Sequence, residues 1–104
     1  MAQDLDIVRQ ELAFRIAALD RRARHRRAPD LVAAVADIHA LAHAARMPAA
    51  VTVLHFIAAA LARGERGASV HGWLPILRDA IVTERQDARA CDAFAAACSV
   101  RLAA

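Results

Sequence analysis

The chain has 104 residues, enough for one domain and too few for two, so residues 1–104 are read as a single unit. Its hydrophobic fraction is 59%, with alanine the largest share, aromatics are 4%, Tyr is absent, and strand-type alternation never runs a useful length; this excludes a β-rich fold and predicts an all-α one. All 14 basic residues are arginine and the net charge is +3, too mild to argue for nucleic acid on its own.

The first helix is expected from about Asp4, as N-cap, to Arg26. Leu5, Val8, Leu12, Ile16 and Leu19 recur at three- and four-residue steps and mark one apolar face. It ends in Arg21-Arg22-Ala23-Arg24-His25-Arg26-Arg27, where positive charge suits the macrodipole, and Pro29 stops the run.

A second helix is expected from a capping Asp30 to about Met47, burying Leu31, Val35, Ile38 and Ala42 or Leu41. A neighbouring stripe carries Val32, Ala36, His39, His43 and Arg46. His39 and His43 are one turn apart and share a helix face. Imidazole is the side chain best suited to take or pass charge near neutral pH, so this pair is the first candidate site.

Pro48 suits the first turn of a third helix, expected over about Ala49 to Arg63 with Val51, Leu54, Ile57, Ala58 and Leu61 inward, and Gly64 as its C′ residue. Gly64 to Gly67 reads as a turn. Ser69 is the expected cap of a fourth helix, with Gly72 and Pro75 making its start irregular and Val70, Trp73, Leu77 and Ile81 facing the core. From Ile76 onward no Gly or Pro occurs, leaving one long helix or two joined near Gln86-Asp87, with Cys91, Phe94, Cys98 and Leu102 as the apolar face. The two cysteines are too far apart along a straight helix to pair, and neither spacing nor neighbours suggest zinc or a redox motif. Four helices with short connections predict an antiparallel four-helix bundle.

The stretch His39-Ala40-Leu41-Ala42-His43-Ala44-Ala45 resembles the local pattern of histidine-containing phosphotransfer (HPt) domains, His-x-Leu-Lys-Gly-x-Ala. The family's helix break falls at Met47-Pro48-Ala49, and Leu54, Ile57 and Leu61 fit its next apolar positions; the similarity in layout covers about Asp4 to Ile81. Ala42 and His43 stand where the family carries its lysine and glycine. The resemblance implies a four-helix bundle whose His39 accepts a phosphoryl group from a receiver-domain aspartate and passes it on. His43 is then an alternative acceptor or helper, and Arg46 the cation that stabilises phosphoryl charge. Arg21, Arg22 and Arg24 become docking residues for an acidic receiver domain or a histidine kinase. Such a chain is a phosphotransfer intermediate rather than a true enzyme, and with no glycine-rich phosphate loop it is not itself a kinase.

No cofactor and no metal are expected; the alternative is a three-imidazole site, the i,i+4 pair His39 and His43 with His55 as third ligand. A second reading is a non-catalytic HPt-like helical interaction module, monomeric or dimeric; a homodimer would help so alanine-rich a core bury more surface. A third is a small basic nucleic-acid-binding helical protein, disfavoured because no stacking aromatic or helix-turn-helix pair accompanies the arginine run. Heavy Ala and Arg usage suggests a GC-rich bacterial genome. No signal peptide and no membrane-spanning run are visible, so a cytoplasmic location is expected.

Overall fold

A computed structural model describes the backbone of residues 2–23 and 28–103 and the side chains of residues 4–23 and 30–103. The described chain is helical, with no strand: α1 (Ala2–Ala23), α2 (Ala28–Ala44), α3 (Pro48–Ala62), α4 (Ala68–His71), α5 (Leu74–Val82) and α6 (Ala88–Ala103). α1 packs on α2, α2 on α3, α3 on α5, and α5 back on α1. α6 lies outside this ring against α3 and α5, and α4 fills a corner between α1, α3 and α5.

Packing follows the apolar periodicity. Leu12, Ile16 and Leu19 of α1 are fully buried, with Leu5 and Val8 half-buried at the open end. α2 buries Leu31, Val35, Ile38 and Ala42, while Leu41 is half-buried. α3 buries Leu54, Ile57 and Leu61 as expected, and Val53 and Ala60 join them in the core, while Val51 is half-buried and Ala58 is exposed. Leu102 is likewise exposed rather than part of the α6 seam, which rests on buried Cys98 and half-buried Cys91 and Phe94. Both cysteines are free thiols, and burial pushes the Cys98 thiol up.

Several helix ends differ from expectation. Asp4 and Asp30 lie inside the first turns of α1 and α2 rather than capping them, where their charge suits the positive helix end. Pro29 falls within the first turn of α2, a position a missing N–H tolerates. The expected end of the first helix at Arg26 lies outside the described residues. α2 closes three residues before Met47. Arg46 N–H donates to the His43 carbonyl and Met47 N–H to the Ala42 carbonyl, a Schellman closure with Arg46 at φ 59°. α3 ends in the same motif, this time with Gly64 at φ 95°. Ser69 sits inside α4, whose N-cap is Gly67, so the expected fourth helix is two pieces broken at Gly72-Trp73. Trp73 is buried, and its indole N–H donates to Glu65 Oε1 (3.0 Å) while the Arg101 guanidinium covers the ring, 5.1 Å from its centroid.

The last helical stretch is divided. α5 stops at Val82, Thr83 is extended, and Asp87 caps α6 by accepting the Ala90 N–H (2.9 Å). Gln86 fills the joint: it accepts the N–H of buried Ala49 (2.9 Å) and donates to the Ala80 and Thr83 carbonyls. Among the described residues, no helix is long and apolar enough to cross a membrane.

Candidate functional site

Ile38 and Ala42 are core residues of α2, so His39 and His43, each one position on, flank the buried stripe on the same side. His55 follows buried Leu54 on α3 in the same way. α2 and α3 form a hairpin, and His39 and His55 lie equally far before and after Met47 at its turn. Antiparallel helices bring such positions face to face.

The result is a row of three imidazoles. His39, half-buried, is in the middle. Its ring is nearly parallel to that of His43, with centroids 6.2 Å apart, and to that of His55, with centroids 5.1 Å apart. His39 Nε2 and His55 Nε2 are 3.2 Å apart, within hydrogen-bond reach. One neutral ring donates its N–H and the other accepts, and the tautomer decides which. Sequence reasoning named His55 but did not see this pairing. Its signal was the symmetry of His39 and His55 about Met47.

The pair sits at the turn-proximal end of an aliphatic groove of about 260 Å³ between α2 and α3. Val32, Val35, Ala36, Leu54, Ala58 and Leu61 line the rest, and among the described residues no charged side chain does. His43 and Arg46 line a second, more open groove with Met47, Pro48 and Val51. Arg46 thus keeps company with His43, and it does not line the groove that His39 and His55 share. Among the described residues, no group of three or more His, Cys, Asp or Glu side chains is arranged to hold a metal ion, so the three imidazoles do not converge as one triad.

Arg21 and Arg22 are exposed in the last turn of α1, and Arg24 lies outside the described residues. Arg22 shares surface concavities with Asp30 and Asp37 of α2, so the described residues there carry charge of both signs. Nearby, Asp20 holds His71 (2.7 Å) and Arg78 (3.5 Å). Burial works to raise the Asp20 pKa, but the hydrogen bond and charge of His71, then those of Arg78, outweigh it and hold the carboxyl below the usual range.

Comparison with known protein families, curated proteins and solved structures found no match to this chain.

Proposed function

We propose that this chain is an HPt-like phosphoryl carrier, with His39 as acceptor, and that α1, α2, α3 and α5 are its four-helix bundle. The observation that carries the reading is a partly exposed imidazole in mid-α2, with a second imidazole on α3 within hydrogen-bond reach of its Nε2. The motif around His39 and the closed ring of helix contacts support it. On this reading the chain works in a bacterial cytoplasm beside a receiver domain or a histidine kinase.

The chemistry is an in-line exchange. The His39 Nε2 lone pair attacks phosphorus, the N–P bond forms, and the P–O bond to the receiver aspartate breaks, returning a free carboxylate. For this His39 must turn its Nε2 from His55 toward solvent. His55 Nε2–H is then placed to donate to a phosphoryl oxygen, a role the family gives to the lysine replaced here by Ala42.

Transfer from a labelled phospho-receiver tests the reading. Label should appear on the native chain and on His43→Gln, fall on His55→Gln, and vanish on His39→Gln. Loss only with His43→Gln moves the acceptor to His43. A panel of receivers that leaves no label on the native chain ends the carrier reading.

A second reading is favoured by one specific feature. His39 Nε2 is already engaged by His55, and His43 fills the family's glycine position on the approach side. That arrangement suits a non-catalytic module that binds receiver domains, alone or as a homodimer. Receiver binding without transfer is its signature.

A further inference from the structure

The separation of the His39 and His55 rings is informative beyond phosphoryl transfer. Two imidazole nitrogens bound to one ion at about 2.05 Å and a near-tetrahedral angle stand about 3.3 Å apart, with ring centroids about 5.2 Å apart. A straight N–H···N bond of the observed length would hold the centroids farther apart, at about 5.5 Å. The observed pair, 3.2 Å between nitrogens and 5.1 Å between centroids, is close to the separation that convergence on one shared ion requires.

We propose that His39 Nε2 and His55 Nε2 together chelate one divalent transition ion, Zn²⁺ by this near-tetrahedral spacing, with Cu²⁺ and Ni²⁺ as probes of the same two donors. The donors come from two different helices, held in place by Ile38 and Leu54, which are both buried beside them. Among the described residues, no arginine lines the groove at the pair to repel a cation. His43 stays outside the chelate: its ring stacks 6.2 Å from that of His39, and no triad forms. Water completes the coordination, which makes this a moderate-affinity site rather than a closed structural one. Both nitrogens bind as lone-pair donors, so protons compete with the ion for them. A bound ion takes the His39 lone pair that phosphoryl attack requires, yet the site stands whether or not transfer occurs.

The test uses the untagged full chain, with CuCl₂, NiCl₂ and ZnCl₂ titrated in turn by calorimetry and Cu²⁺ followed by electron paramagnetic resonance. The expected result is one ion per chain with two imidazole nitrogens in the Cu²⁺ spectrum. His39→Gln and His55→Gln should each weaken binding about tenfold or more, while His43→Gln changes it little. Circular dichroism confirms that each variant keeps its helices. The proposal is overturned if the native chain binds no more tightly than the His39→Gln/His55→Gln double variant. It is equally overturned if His43→Gln weakens binding as much as His55→Gln.

Discussion

Arg46 adopts a conformation that L-residues avoid. Its φ of 59° lets Met47 N–H reach the Ala42 carbonyl and turns the chain from α2 into α3. Holding a side chain in the left-handed region costs on the order of 1 kcal/mol, and glycine removes most of that penalty while losing some entropy from the unfolded chain. Arg46→Gly should therefore stabilise the protein by about 0.5 kcal/mol, read as a higher urea midpoint at unchanged slope. The same variant separates two roles. On the proposed carrier reading, if stability rises while transfer to His39 falls, the guanidinium contributes charge to the reaction; if transfer is unchanged, Arg46 serves only the turn. A lower midpoint would mean that the arginine makes contacts worth more than its backbone strain.

At the scale of elements, one side chain holds a three-way junction. Gln86, two residues before α6, joins the start of α3 to the end of α5, through the Ala80 carbonyl and that of Thr83, the residue closing α5. Ala49 is fully buried, so removing the Gln86 amide leaves its N–H without a partner. Gln86→Ala should cost about 1–3 kcal/mol, and the loss should concentrate in the joint. Hydrogen exchange at the Ala49 amide should accelerate, and Cys98, which α6 buries against the core, should react faster with a thiol reagent. Slow Cys98 labelling in the variant would show that α6 docks independently of the joint. This junction also shows how far the sequence could be read. A break near Gln86-Asp87 was one of two legible options, because no Gly or Pro marks it; what settles it is a side chain reaching back to α3, and no local pattern announces that. On α3, Leu54, Ile57 and Leu61 are legible as core, but Val53 and Ala60 are not, for a different reason. Alanine occupies Ala49, Ala50 and Ala58 through Ala60, so hydropathy contrast around that helix is weak, and only packing distinguishes buried Ala60 from exposed Ala58. The α2 histidines were legible because one turn of helix relates them. The His39–His55 pair was not, because it depends on the register of a hairpin.

At the scale of the whole molecule, junctions between elements rest on carboxylates. Asp20 ties α1 to His71 of α4 and Arg78 of α5. Glu65, in the turn after α3, accepts the Trp73 N–H and pairs with Arg63 (2.8 Å), and Asp87 caps α6 beside Arg85. All three carboxyls are held below their ordinary range. The Trp73 hydrogen bond leads at Glu65, burial opposing it and Arg63 assisting; the Ala90 N–H leads at Asp87, with Arg85 next. At Asp20, the His71 and Arg78 contacts overcome burial. A carboxyl whose folded pKa is depressed stabilises the fold fully above its unfolded value, and that stabilisation is lost as pH falls through the folded value. These groups should therefore leave stability level from pH 7 to about pH 5 and lower it progressively below about pH 4. Glu65→Gln should start from a lower midpoint at pH 7, because the charged partner of Arg63 is gone, and then decline less steeply in acid than the native chain. Urea midpoints taken between pH 7 and pH 3 decide it. Parallel acid limbs for the two proteins would mean that Glu65 keeps the same proton affinity folded and unfolded, and that Trp73 is held by its packing and the Arg101 cover alone.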